Sequence, residues 1–289
     1  MAFRLTLALA LTLVSSSAAA AAKQPNIVMV VVDDLGSHDL GFTGSEIHTP
    51  SIDALAKEGL VLENYYVQRL CSPTRASFLS GRYPVHHGVD NWIPSANPWA
   101  VPEDNQYIAA HLSAAGYATH AIGKWHVGFS AWKYTPTFRG FDSFTGFYSG
   151  VEDYFTHIIS GGYDMRHDVG ANCGLNCSKI LWSARGTYST NVFGMAAVDI
   201  IHAHDTSKPM FLYLAFQGVH GPQEVPAKYV TPYMGKSKRP HFAGMISAVD
   251  EGVKVRVLSS LVRVCRSARS FAHLLSGLRM SPRRWRRRR

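Results

Sequence analysis

The chain has 289 residues, 46% hydrophobic and 17% charged, which supplies a substantial core and excludes wholesale disorder. Its formal charge of +9 is unevenly held: 12 of the 29 Lys/Arg lie after Val253 with no acidic residue among them, leaving 17 basic against 20 acidic side chains in residues 1–253. The body is therefore mildly acidic and offers no electrostatic footprint for nucleic acid.

In chain order, residues 1–22 have the form of a secretory signal peptide: Arg4, an apolar run over residues 5–14, then small residues over 15–22. That run is about half of the ~20 residues a bilayer span requires, and no later stretch approaches that length, so no transmembrane segment is expected. Residues 27–32 form a continuous β-branched run, the pattern of a central strand in a parallel sheet. Ser51 is placed to cap a helix over 52–58 that ends at Gly59. Further helices are predicted over 74–80, 105–115 and 190–204, and strands over 117–122 and 210–216. Residues 130–189, rich in Gly and aromatics, read as long loops. Strands alternating with helices predict an α/β fold with a mostly parallel central sheet and helices on both faces. In a secretory chain, Asn176-Cys177-Ser178 is a glycosylation sequon and disulfides are possible, though four cysteines are too few for a disulfide scaffold.

Chemistry-bearing residues gather at predicted strand and helix ends. Asp33 and Asp34 close the first strand, where ligands bind in open α/β sheets, and two carboxylates suit a hard cation. Read alone, the pair is as consistent with a turn. In Cys71-Ser72-Pro73-Thr74-Arg75, Pro73 suits a first helical turn and puts Cys71 where the helix dipole favours an anion, with Arg75 one turn on. A buried structural cysteine is the plainer alternative. Lys124 and His126, in Gly-Lys-Trp-His, can neutralise an anion and move a proton. His220, in Val-His-Gly-Pro, follows the second buried strand. One metal position, one nucleophile position and several cationic groups together fit hydrolysis of an anionic ester.

With the segments NIVMVVVDDLG, CSPTRASFLSGRYP, GYATHAIGKWHVGF, FRGFDSFTGF, EDYFTH and FLYLAFQGVHGP, the chain resembles the sulfatases of the alkaline-phosphatase superfamily, nearest the arylsulfatase B type. The resemblance implies that a formylglycine-generating enzyme oxidises Cys71 to formylglycine, whose hydrate carries the nucleophilic oxygen. It implies that Arg75 stabilises that hydrate, that Lys124 and His126 hold and deprotonate it, with His126 acting in release of sulfate, and that His220 contacts sulfate and helps protonate the leaving oxygen. Asp33, Asp34 and the modified Cys71 would face Ca²⁺. Substrates would be sulfate esters, such as those of glycosaminoglycan sugars, in a lysosomal or extracellular setting. A phosphate or phosphonate ester hydrolase and a non-catalytic secreted fragment are the alternatives.

The resemblance sets a signal peptide over 1–22, an incomplete catalytic domain over 23–253 and an unrelated basic tail over 254–289. The expected Asp-Asn-Gly strand, a later sulfate-binding Lys and a C-terminal subdomain are not found in that tail, so weak or absent activity and an exposed sheet edge are expected. The tail reads as an alternative exon, a shifted frame or a faulty gene model; the other reading is a basic helix for acidic membranes or nucleic acid. Cys173 and Cys177 are expected to pair.

Overall fold

The computed structural model describes residues 24–253 except positions 96 and 173, so the segment expected to be a signal peptide, the basic tail and Cys173 lie outside the described residues. The strands are β1 (Ile27–Val32), β2 (Ala118–Lys124), β3 (Ser143–Phe147), β4 (Ile158–Ile159), β5 (Gly162–Tyr163), β6 (Arg166–Val169), β7 (Ser178–Ile180) and β8 (Met210–Phe216). The helices are α1 (Pro50–Glu58), α2 (Cys71–Ser80), α3 (Pro84–His87), α4 (Ile108–Ala114), α5 (Ser189–Ala203), α6 (Ala227–Val230) and α7 (Pro240–Glu251).

Six strands form one sheet in the order β1-β8-β2-β3-β6-β7; β4 and β5 make a separate hairpin. The first four run parallel, with Ile27 opposite Phe211 and Ala118 opposite Met210, while β6 and β7 are antiparallel additions. Strand β8 is the axis of the molecule. All seven of its residues are buried because it feeds two cores. Phe211, Tyr213 and Ala215 join Trp125 and Phe141 on the face covered by α2 and α4. Met210, Leu212, Leu214 and Phe216 join Phe193, Ala197 and Ile201 of α5 on the other. Burial of each such large side chain contributes roughly 1.5–3 kcal/mol, and the alternation follows from the two-residue period of a strand. The α/β architecture with helices on both faces is as expected.

Three expectations are corrected. Residues 130–189 hold five short strands, β3 to β7, rather than loops alone. Strand β1 is not central among the described residues: β8 is its one neighbour there, and Val30 is 37% exposed. Ser51 does not cap α1, whose N-cap is Thr49. The carboxylate of Asp250, on α7, instead accepts the N–H groups of Ser51 and Ile52 and the Ser51 hydroxyl, at 2.8–3.2 Å. An acid supplied through tertiary contact thus satisfies the helix start, where anions are favoured. Cys177 is disulfide-bonded, to a partner outside the described residues.

Candidate active site

The parallel strands end together at their carboxyl edge, and the predicted site residues stand there. β1 delivers Asp33 and Asp34, β2 ends on Lys124 and leads to His126, and β8 leads to the loop bearing His220. Two backbone hydrogen bonds tie β1 to that loop: Asp33 N–H to Gly218 carbonyl at 2.9 Å, and Val219 N–H to Asp33 carbonyl at 2.6 Å. Strand β2 runs one residue pair further than the sequence indicates, so Lys124 is its last residue and is fully buried. Gly123 is required there: its φ is +94°, and a Cβ would meet the carbonyl of Ala215 on β8.

Cys71 opens α2. Its N-cap, Leu70, has no side-chain acceptor for the first-turn N–H groups, and Pro73 sits in that turn as expected. The Cys71 thiol is free and partly exposed. Arg75, one turn later, is buried and threads beneath it: Nη1 donates to the Lys124 carbonyl at 2.8 Å, and Nη2 lies 3.3 Å from Asp33 Oδ1. Lys124 Nζ donates to Asp33 Oδ2 at 2.5 Å. One carboxylate therefore balances two buried cations. Burial pushes the Asp33 carboxyl up, but Arg75 and Lys124 outweigh it and hold it below the ordinary range. Burial lowers the Lys124 ammonium, with Asp33 opposing. The guanidinium of Arg75 still has Nε buried without a partner, and Nη2 meets Asp33 outside hydrogen-bond geometry. Buried donors left open beside a helix start are suited to an anion.

His126 has its tautomer written into its contacts. Nε2 lies 2.9 Å from the carbonyl of Ile93, which can only accept, so Nε2 carries the proton and Nδ1 is bare. That Nδ1 is buried without a partner. Burial, then Lys124 and Arg75, lower the imidazole to about 3, so the ring is neutral at any physiological pH. The ring needs Gly150: a Cβ there would stand 2.5 Å from Nε2. Ile93 also donates its N–H to Ser72 Oγ at 3.1 Å, linking the His126 support to the residue after Cys71. Both Asp34 and His126 have positive φ, 55° and 56°, a sparsely used conformation for non-glycine residues that turns each side chain out of its strand direction.

His220 is complementary. Its Nδ1 donates to the carbonyl of Gly221 at 2.7 Å, so Nε2 is the nitrogen presented to Asp34, 3.8 Å from Oδ2. The structure thus brings Asp33, Arg75 and Lys124 into direct contact, puts Cys71 on the same helix turn as Arg75, and sets His220 against Asp34. Asn176 lies in a short 3₁₀ turn, Gly174–Asn176, apart from this assembly in the chain.

Ca²⁺ is the metal the resemblance implies. Among the described residues no three His, Cys, Asp or Glu side chains converge on one point. Asp33 and Asp34 are hard oxygen donors at one strand end and fit such an ion, but as two residues they form part of a shell that needs about 6–8 oxygens.

Sequence reasoning missed the supports of this site. Tyr213 on β8 lies 3.4 Å from Arg75, and Tyr154, Gln217 and Glu224 brace the His220 loop. The buried pair of Glu152 and His157, 3.0 Å apart, stands behind them. All but Glu224 were within reach as polar residues inside apolar or aromatic segments.

A protein-family model described as Sulfatase matches residues 25–262. Mouse Arylsulfatase J is 39% identical over 239 residues, covering 80% of this chain and 38% of that protein. Human N-acetylgalactosamine-6-sulfatase is 28% identical over 253 residues, covering 79% and 45%. The solved structure of Ps i-CgsB in complex with k-i-k-neocarrahexaose superposes with a TM-score of 0.73 at 31% identity, covering 86% of this chain and 56% of that one. The chain spans less than half the length of the two curated relatives it matches here. No helix among the described residues is long and apolar enough to cross a membrane.

Proposed function

The chain belongs to the sulfatase family, and from that membership we propose that its site serves the hydrolysis of sulfate esters, with sulfated sugars of the glycosaminoglycan kind as the substrate class. The observation that carries the reading is the unsatisfied interior around Cys71: open N–H donors on buried Arg75 and a buried, unpaired Nδ1 on His126. Two of those features suit an anion, and the third is an acceptor open to a hydrogen bond from the nucleophile's hydroxyl.

Cys71 is the position of the nucleophile, and conversion to formylglycine would supply the hydroxyl oxygen that attacks sulfur. Arg75 and Lys124 orient that group and offset the charge of the transferring sulfuryl group, the kind of preorganised electrostatic help that dominates many active sites. His126 accepts a proton at Nδ1, because Nε2–H is committed to Ile93. His220 works from the other side: with Nδ1–H committed to Gly221, a second proton taken at Nε2 can pass to the departing oxygen. Asp33 and Asp34 would hold Ca²⁺, with the modified Cys71 facing it, and a divalent ion there would polarise the ester oxygens. Entry to the secretory pathway, glycosylation at Asn176, a lysosomal or extracellular destination and pairing of Cys177 with Cys173 belong to the same proposal. A second reading, anion binding without turnover, is favoured by one observation: both Asp33 oxygens are already engaged by Arg75 and Lys124.

The test is expression of the full chain in cells containing the formylglycine-generating enzyme. The peptide around Cys71 is weighed by mass spectrometry, and the chain is assayed on 4-nitrophenyl sulfate and 4-nitrophenyl phosphate. Aldehyde at position 71 and turnover of the sulfate ester, both lost in Cys71→Ala, are expected. Unmodified thiol refutes the nucleophile. An aldehyde without turnover, with sulfate still bound, establishes the second reading instead.

A further inference from the structure

The ring of His220 is oriented through its own backbone, and that backbone is held by a residue the reaction scheme does not use. We propose that Tyr154 is a positioning residue for His220, a role that rests on reading His220 as the group facing the sulfate ester. Tyr154 is fully buried, with its ring stacked on Tyr188 at 5.3 Å between centroids. Its hydroxyl donates to the carbonyl of His220 at 2.7 Å.

That carbonyl and the N–H of Gly221 are two ends of one rigid peptide plane. Pinning the plane fixes where Gly221 begins, and the Gly221 carbonyl is the acceptor for His220 Nδ1–H at 2.7 Å. That bond selects the tautomer, and the tautomer leaves Nε2 as the nitrogen turned to Asp34. The sequence of dependence is Tyr154 hydroxyl, peptide plane, Gly221 carbonyl, Nδ1–H, Nε2.

The surroundings make Tyr154 a firm anchor. Gln217 Nε2 donates to the Glu152 carbonyl at 2.6 Å, and the Tyr154 N–H donates to Glu224 Oε2 at 2.9 Å, so residues 152–154 grip the His220 loop at three points. Glu152 is in turn paired with His157, whose Nε2 lies 3.0 Å from the Ala184 carbonyl. Of these bonds, Tyr154's is the one that lands on His220 itself.

Tyr154→Phe keeps the ring and its stack and removes the hydroxyl. The first readout is the ¹⁵N shifts of the histidine rings in the full chain, with His220 assigned by its disappearance in His220→Gln. The parent should show one Nδ1–H tautomer, Tyr154→Phe an average of two, and the control Tyr188→Phe no change. Identical His220 shifts in parent and Tyr154→Phe overturn the proposal, whether or not the chain turns over any ester. The second readout is kcat across sulfate esters of graded leaving-group basicity. A loss of roughly 10-fold is expected for an alkyl sulfate, which needs its leaving oxygen protonated, against less than about 2-fold for 4-nitrophenyl sulfate, with KM unchanged. An equal loss for both esters is the mark of general disturbance and also overturns it. Absence of turnover in the parent bears on the sulfatase reading alone, and the ring shifts then decide Tyr154.

Discussion

Asp33 is the hinge of the site's electrostatics, and its removal has a cost that can be worked out. Its side chain is 7% exposed, and the two cations it balances, Lys124 and Arg75, are 0% and 1% exposed. Asp33→Asn keeps the shape and removes the charge. Breaking a buried pair from one side costs about 3–5 kcal/mol, since the remaining charge is left uncompensated. Arg75 retains its bond to the Lys124 carbonyl, whereas the Lys124 ammonium has Asp33 as its hydrogen-bond partner among the described residues. Most of the penalty therefore sits on Lys124. Lys124→Met alone leaves Asp33 with Arg75 and should cost roughly 1–3 kcal/mol. In the double variant the stranded ammonium is gone, so the loss should be smaller than for Asp33→Asn by about 1–3 kcal/mol, a strong coupling of opposite sign to simple addition. The assay is urea unfolding of each variant followed by tryptophan fluorescence, with stabilities extrapolated to water. If Lys124→Met destabilises the Asp33→Asn chain as much as it destabilises the parent, the two-cations-on-one-carboxylate account is wrong.

Two further outcomes are expected. Asp250→Ala strips the start of α1 of three hydrogen bonds and should lower stability by about 2–4 kcal/mol, with Asp250→Asn recovering part of it; a change within about 0.5 kcal/mol in the denaturation midpoint analysis would show the contact idle. Burial pushes the Glu152 carboxyl up to about 7 against the lowering hydrogen bond from His157. The folded state then binds a proton that the unfolded state releases near the ordinary carboxylate value, so this contribution is complete in acid and is lost as pH rises toward 7. Thermal melts at pH 5 and 7.5 should show Glu152→Gln losing about 2–3 kcal/mol of the parent's decline between the two; superimposable pH profiles would refute it.

The parts of the molecule legible in the sequence are those where one physical demand dominates. Strands β1 and β8 are bounded as the sequence predicts because an unbroken β-branched or apolar run closed by turn residues has few other homes. The candidate site residues stand out in the sequence because they lie at strand ends or a helix start, next to turn residues. Strands β3 to β7 escaped because strands of two to five residues, with Gly146 and Gly162 inside them, carry no period. The interior placement of β1 was misjudged for a related reason: an apolar run reports a preference for burial, and neighbours decide how much it receives. Ser51 looked like a helix cap because local chemistry cannot reveal a carboxylate arriving from Asp250. Tyr154 and Gln217 stand out only as polar residues among apolar and aromatic ones, and their roles do not show, since each acts through a carbonyl brought near by the fold.

The pairing of β1 with β8 has a consequence for synthesis. Ile27 meets Phe211 across the sheet, so the first strand leaves the ribosome long before its partner exists. At about 5–20 residues per second the intervening stretch takes on the order of 10–40 s to emerge. Throughout that interval IVMVVV is a bare, uncharged, β-prone hexamer, the sort of segment that pairs with whatever edge it meets. The same long closure gives the chain a high contact order and hence slow folding. A chaperone that shielded that strand for those tens of seconds would keep it from pairing elsewhere.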